Sequence, residues 1–401
     1  MEILFERHDA YLSNVPMAYC RNLMKEIDWD ARLVMIKGPK GVGKTTMLHQ
    51  YIKKNFDVAD RHVLYCSADT SYFATHTLAE TADRFVKLGG KYLFIDEVHK
   101  YKDWSREIKE IYDLYRDLHV VLSGSSLIQM NDGHADLSRR ILEYDMPGLS
   151  YREFLRMDKG FEIEPLSLQS LLDSPNAYCN YVCTICRPLE HFRDYLRYGF
   201  YPFYFEGKSS FYNRLENVIN YMVDVELTKY RGIEVGNTRR LKALLQVITQ
   251  MAPYEVDIAK LSRTIGISRP TIMRYLSHLD EAKLIRRLFT DLRNIGDLQK
   301  PDKIYLDNTN LLYALSNTSP DVGTVRETFF ASMAAASKHV VEYAGYRKGD
   351  FRIDGDIVIE VGGADKGFSQ IAGHRNAYVA ADDVETAAFN KIPLWAFGFL
   401  Y

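Results

Sequence analysis

The stretch Gly38-Pro39-Lys40-Gly41-Val42-Gly43-Lys44-Thr45 follows the apolar run LVMIK (33–37) and leads into TTMLHQYIKK (45–54). It fits G-x-x-x-x-G-K-[ST] between a strand and a helix, the context a phosphate-binding loop requires. The glycines let the backbone curl so that successive N–H groups converge on phosphate oxygens. The helix that follows adds the positive end of its dipole. This pattern expects Lys44 on the β- and γ-phosphates and the Thr45 hydroxyl on Mg²⁺. The candidate nucleotide-binding set is Gly38, Pro39, Lys40, Gly41, Val42, Gly43, Lys44, Thr45 and Thr46. The expected ligands are ATP and Mg²⁺.

Outward from the loop, short apolar runs recur at HVLYCS (62–67), YLFI (92–95) and HVVLS (119–123), with helical patterns such as 77–88 and 105–118 between them. This βαβ rhythm predicts an α/β fold with a parallel sheet. The run at 92–95 ends in Asp96-Glu97. A strand end beside the loop would bring Asp96 into the Mg²⁺ shell with Thr45, and Glu97 would act as general base on the attacking water. The next strand ends in Ser123-Gly-Ser-Ser126, where Ser123 or Ser125 is a candidate contact for the γ-phosphate or the water. Arg139 and Arg140 follow. An arginine presented to phosphates, often by a neighbouring subunit, raises turnover by about 10³–10⁵. Arg140 is carried as the candidate catalytic arginine, and a nucleotide-dependent homo-oligomer is among the assemblies this allows.

The chain has 401 residues, 47% hydrophobic and 26% charged, and a net charge of −2. That length predicts several domains with real cores, and the charge supplies no global field toward nucleic acid or membrane. No run approaches the ~18 apolar residues of a membrane span, and no secretory leader is read at the N-terminus. Five unevenly spaced cysteines fit a reducing, cytoplasmic setting. Cys179, Cys183 and Cys186 fall on one helix face at a spacing that suits burial better than a tetrahedral zinc site.

Residues 257–264 read as a short helix, Ile265-Gly266-Ile267 as a turn, and Ser268 as the N-cap of a second helix. Ile272, Leu276 and Leu279 form its buried face, leaving Arg269, Thr271, Arg274, Tyr275 and His278 outward. Residues 284–293 form a candidate wing with Arg286 and Arg287 available. This spacing suits a winged helix-turn-helix, with DNA or another domain as its partner.

Taken together, the chain resembles a prokaryotic family of AAA-type ATPases. In that family an ATPase core precedes a winged helix and a C-terminal domain of unknown function with a restriction-endonuclease-like fold. The segments that carry the resemblance are GPKGVGKTT (38–46) and YLFIDEVHK (92–100), its Walker A and Walker B stretches, with LSGSS (122–126) and SRR (138–140). LSYREFL (149–155), KPDKIYLDNTNLLYAL (300–315), RETFF (326–330) and IEVGG (359–363) complete it. It implies an ATPase core over 1–150, a helical lid over 151–235, a winged helix over 236–300 and a nuclease-like domain over 301–401. The nuclease pattern of that fold maps to Glu327, Asp350 and Glu360. Its lysine position holds Gly362, with Lys366 four residues on, so the domain is read as inactive. The expectation is an ATP hydrolase that drives a conformational switch on a macromolecular partner, a protein or DNA, without a membrane.

Overall fold

The computed structural model describes residues 1–57, 60–125, 137, 139–290 and 299–401. They divide into two compact units, Met1–Pro147 and Gly148–Tyr401. No helix among the described residues is long and apolar enough to cross a membrane.

The first unit is built on five strands: β1 (Leu33–Gly38), β2 (Val63–Ser67), β3 (Tyr92–Asp96), β4 (His119–Ser125) and β5 (Leu142–Asp145). All pair in parallel, in the order β2-β3-β4-β1-β5. Helices cover the sheet, so β1 and β4 are buried almost throughout and read in sequence as unbroken apolar runs. Helix Leu78–Lys87 starts at a capping box in which Thr77 and Glu80 satisfy each other's backbone N–H groups. Its buried residues Leu78, Ala82 and Phe85 join Trp104, Ile108 and Ile111 of helix Trp104–Leu114 in the core beneath β3 and β4. β4 lies between the loop strand β1 and the acidic strand β3, so the ends of β1 and β3 stand two strand spacings apart, about 10 Å.

The second unit opens with helices. Tyr151–Lys159 is held by a second capping box, Ser150 with Glu153, and Pro188–Tyr198 and Phe211–Tyr221 follow. Helices Ile258–Ile265 and Arg269–Glu281 are joined through Gly266, which is left-handed at φ 73°, and Ser268 caps the second helix. Next to them, β6 (Tyr254–Glu255), β7 (Ile285–Leu288) and β8 (Lys303–Leu306) form an antiparallel sheet in the order β6-β8-β7. β8 thus shares a sheet with strands on the other side of residue 300. Helix Val322–Ala336 then packs on a five-stranded mixed sheet of β9 (Val341–Tyr343), β10 (Phe351–Ile353), β11 (Ile357–Gly362), β12 (Ala377–Ala381) and β13 (Lys391–Pro393). Its order is β13-β12-β11-β10-β9, antiparallel from β9 to β11 and parallel from β11 to β13.

Three residues that the sequence reading leaves outward or available are placed otherwise. Tyr275 is 4% exposed, because it stands three residues on from Ile272 and so lies beside the buried face of the helix. Arg286 and Arg287 are not available: Arg286 pairs with Asp307 at 2.8 Å and Arg287 with Asp280 at 3.0 Å. Arg269 and Arg274 are exposed as expected. Ser126, Ser138 and residues 291–293 of the candidate wing lie outside the described residues. Cys179 and Cys186 are buried thiols, pushed up to about 12 and about 11 respectively by burial.

A Cβ on Gly38 would lie 2.3 Å from the Met146 carbonyl oxygen, where β1 and the end of β5 close on each other. Gly38→Ala is therefore expected to destabilise the protein by about 1–3 kcal/mol, read from urea unfolding. Gly236→Ala is the control. It sits in helix Val235–Met251 with nothing within 4 Å of its Cβ, and should be neutral or stabilising by up to about 1 kcal/mol.

Candidate functional site

The loop leaves β1 at Gly38 and enters helix Lys44–Asn55 with Gly41 at φ 88° and Gly43 at φ 95°. These left-handed values are open to glycine and strained for other residues, and they curl the backbone back over the helix start. The Lys44 ammonium is buried there and donates to the carbonyls of Gly38 (2.8 Å) and Pro39 (3.0 Å). Arg21, absent from the sequence reading, secures the loop from behind. Its guanidinium donates to the Val42 carbonyl at 2.8 Å and to the Pro147 carbonyl at 2.9 Å, and it is 6% exposed.

Strand register brings the remaining candidates to the same edge. β4 aligns Ser123 with Ile36 of β1 and Leu122 with Ile95 of β3, so Ser123 lies one step from Asp96. Asp96, 2% exposed, is the meeting point. Its Oδ2 accepts from Thr45 Oγ1 at 2.6 Å and from Tyr65 Oη at 2.9 Å. Its Oδ1 accepts from Ser123 Oγ and, at 3.1 Å, from the Glu97 N–H. The same N–H lies 3.3 Å from Ser123 Oγ. Thr45, Asp96 and Ser123 therefore form one group across three elements, with Glu97 at its edge.

Glu97 is left-handed at φ 52° and starts the short 3₁₀ turn Val98–Lys100. Burial pushes its carboxyl above the usual carboxylate range, and the charge of Lys44 opposes that shift. One Glu97 oxygen lies 3.5 Å from His99 Nε2, while His99 Nδ1 accepts the Ser125 N–H at 3.4 Å. Ser123 thus faces Asp96, and Ser125 addresses His99 through its backbone. Arg140 stands apart from this group. It pairs with Asp113 at 3.2 Å and lies over the Tyr112 ring, while Arg139 is exposed.

Tyr65 is the second residue the sequence reading missed. Its phenol reaches Asp96 from β2, and its ring is boxed by His49 (4.2 Å, edge-on) and Tyr11 (5.4 Å). Its N–H donates to His8 Nδ1 at 2.9 Å. His8 and Tyr11 come from the helix Glu2–Ser13, so the first helix of the chain supports the residue that supports Asp96. No local pattern could have flagged this. Tyr65 reads only as one more apolar position of β2, and its partners lie tens of residues away.

Two measurements follow. Tyr65→Phe removes one of the donors to a buried carboxylate and should cost about 1.5–3 kcal/mol in urea unfolding. His8 is buried and neutral, its pKa lowered by burial from 6.5 to about 4. The unfolded chain therefore binds the extra proton between these values, so stability is full above about pH 6.5 and is lost as pH falls toward about 4. That loss is on the order of 3 kcal/mol. In His8→Asn, whose amide oxygen can still accept from Tyr65, the difference in unfolding free energy between pH 7 and pH 4 should shrink.

Residues 30–155 match the family model of an AAA domain, and residues 189–322 match a domain of unknown function (DUF8612). Among curated proteins, the chain is 22% identical over 302 residues to the uncharacterized protein MJ1637 of Methanocaldococcus jannaschii, covering 72% of this chain and 60% of that one. It is 21% identical over 306 residues to the uncharacterized protein MJ1544 of the same organism, covering 71% and 63%. The chain thus spans less than two thirds of the length of these relatives. Among solved structures, the ORC1 protein of Aeropyrum pernix in complex with DNA aligns over 79% of this chain and 91% of its own at 13% identity and TM-score 0.30. C. elegans PCH-2 aligns over 41% and 49% at 16% identity and TM-score 0.25. At these scores neither likeness bears on the activity of this chain. The parallel order β2-β3-β4-β1-β5, the glycine loop after β1 and the matched segment agree: residues 30–155 have the fold of an AAA-type P-loop ATPase core.

Proposed function

We propose that this chain binds and hydrolyses Mg·ATP and uses the cycle as a conformational switch on a protein partner. The observation that carries the reading is the convergence of Thr45, Asp96 and Ser123 in one hydrogen-bonded group, with Lys44 and the left-handed glycines of the loop on the same strand edge. The donors suit a hard cation. Thr45 Oγ1 and Asp96 Oδ2 are oxygen ligands 2.6 Å apart, and the other groups touching Asp96 are hydroxyls and an N–H.

In this reading the loop amides and Lys44 hold the phosphates, and Thr45 and Asp96 hold Mg²⁺, which supplies charge neutralisation for the transferring phosphoryl group. Glu97 accepts the proton of the attacking water, and its raised pKa brings it toward the range in which a base works well at neutral pH. Ser123 senses the γ-phosphate because it touches both Asp96 and the Glu97 N–H. Tyr65 and Arg21 position Asp96 and the loop. An arginine from 139–140 completes the charge stabilisation, and Arg140 must leave Asp113 to serve.

The helix-turn-helix elements beside β6–β8 fit the winged-helix reading. A protein partner is favoured over DNA because Arg286 and Arg287 are committed to Asp307 and Asp280, leaving Arg269 and Arg274 as the exposed cations of that reading. Phosphate release from Mg·ATP, wild type against Glu97→Gln and with or without duplex DNA, tests both parts. Wild type should turn over. Glu97→Gln should retain ATP and lose about 10²–10⁴ in rate, and DNA should change neither. Stimulation by DNA that disappears on Arg269→Ala/Arg274→Ala would replace the protein partner with DNA. Equal rates in wild type and Glu97→Gln would remove Glu97 from the chemistry.

A further inference from the structure

The second unit gathers five charged side chains from five places. Lys303 comes from β8, Glu327 from helix Val322–Ala336, Asp350 from the residue before β10, Glu360 from β11 and Lys366 from the turn after it. Three carboxylates at the end of a mixed sheet are the donor set that a restriction-type fold offers a divalent cation. Here the residues do not fit that ion. The Lys303 ammonium stands among them, 3.4 Å from Glu327 Oε2 and 4.0 Å from Asp350 Oδ1, and only 8% of the residue is exposed. Tyr305, from the same strand, donates to Glu327 Oε2 at 2.6 Å. The Val361 N–H donates to Asp350 Oδ2 at 2.8 Å. Glu360, 1% exposed, is met at 2.5 Å by Lys366.

Gly362 explains how Lys366 gets there. A Cβ on Gly362 would lie 2.6–2.7 Å from Cβ, Cγ and Cδ of Lys366, so the lysine stem crosses the glycine to reach Glu360. The glycine that breaks the sequence pattern is thus the condition for a lysine to approach from the turn. No group of three or more metal-ligating side chains among the described residues is arranged to hold an ion. Occlusion is not the reason. Lys303 and Asp350 line an open cavity of about 500 Å³ with Tyr343, Arg347, Ser369 and Gln370.

From this we infer that the carboxylate cluster of the second unit is an ion-pair lock closed by Lys303 and Lys366, in which the ammonium groups stand where a nuclease would hold its metal. An ammonium within 4 Å of two carboxylates and a divalent cation on the same oxygens repel each other strongly, so the lysine must be displaced before the ion can bind. The lock has a mechanical consequence. Lys303 and Tyr305 belong to the sheet beside the helix-turn-helix, whereas Glu327, Asp350 and Glu360 belong to the C-terminal sheet and its helix. Contacts alongside the lock tie the same parts together: the Tyr343 N–H donates to the Phe289 carbonyl at 3.0 Å, and the rings of Tyr305 and Phe351 lie 5.6 Å apart. The helix-turn-helix and the C-terminal sheet therefore move as one body.

The test is thermal unfolding of the nucleotide-free full chain in a Thr45→Ala background, with and without millimolar Mn²⁺. With the lock intact, Mn²⁺ leaves the midpoint unchanged. Lys303→Met leaves two carboxylates without their cation and lowers the midpoint by roughly 5–10 °C. Mn²⁺ then restores part of the loss, and the double variant Lys303→Met/Glu327→Gln restores part of it without metal. Two results would overturn the inference: a rise in midpoint with Mn²⁺ while Lys303 is present that Glu327→Gln abolishes, or equal midpoints with and without Lys303→Met. The first needs no lysine variant, so it stands even if Lys303→Met fails to fold.

Discussion

The Asp96 carboxylate is held by Thr45 from the loop helix, Tyr65 from β2, Ser123 from β4 and the backbone N–H of Glu97. A carboxylate that is 2% exposed is costly unless each lone pair finds a donor. Satisfying it fixes the register in which β2, β3 and β4 end and the rotation of the helix that starts at Lys44. The loop then has one place to go, and Arg21 holds it there by donating to the Val42 and Pro147 carbonyls. Elements that meet at a single acidic side chain in this way cannot shift independently. A shift of Ser123 is passed directly to Asp96 and to the Glu97 N–H, both of which its hydroxyl meets.

The parts of this arrangement legible in the sequence are those with local causes. Buried strands read as apolar runs because both faces of the sheet are covered. The loop is readable because glycine is required where φ is positive, at 41 and 43. Caps such as Thr77 with Glu80 and Ser268 are readable because their partners lie three residues away. What escaped is of a different kind. Tyr65, Arg21 and His8 matter through partners 21 to 126 residues distant, and a residue's type does not announce such a partner. The interposed β4 is a matter of topology, which strand patterns alone do not order. Tyr275 and the paired Arg286 and Arg287 show the converse limit. Helical and strand periodicity finds the centre of a buried face, but not how far the burial extends around the helix or which neighbour supplies an acid.

Histidines 8 and 49 extend the same reasoning toward the N-terminus. Both are buried next to Tyr65, and burial lowers the pKa of both, with His8 at about 4. Each ring has a buried Nε2 without a hydrogen-bond partner, so the box gains its stability from packing, stacking and the one bond from the Tyr65 N–H to His8 Nδ1. A box of this kind is stiff while neutral and is weakened by protonation. The support of Asp96 therefore carries a pH dependence of its own, separate from any titration of Glu97.

The two units treat buried acids in opposite ways, and the difference predicts what each can bind. Around Asp96 the side-chain donors are hydroxyls, which carry no net charge and can turn a lone pair outward when a cation arrives. A hydroxyl donor satisfies a carboxylate without cancelling its charge. Around Glu327, Asp350 and Glu360 the neighbours include two ammonium groups, which neutralise the charge they meet. A cation gains little from a cluster that already contains its own positive charge, and it must first displace a lysine held by two acids and packed beside Tyr305 and Tyr343. A hydroxyl thus leaves the charge of its carboxylate partner in place, as at Asp96, and an ammonium does not, as at Glu327 and Asp350.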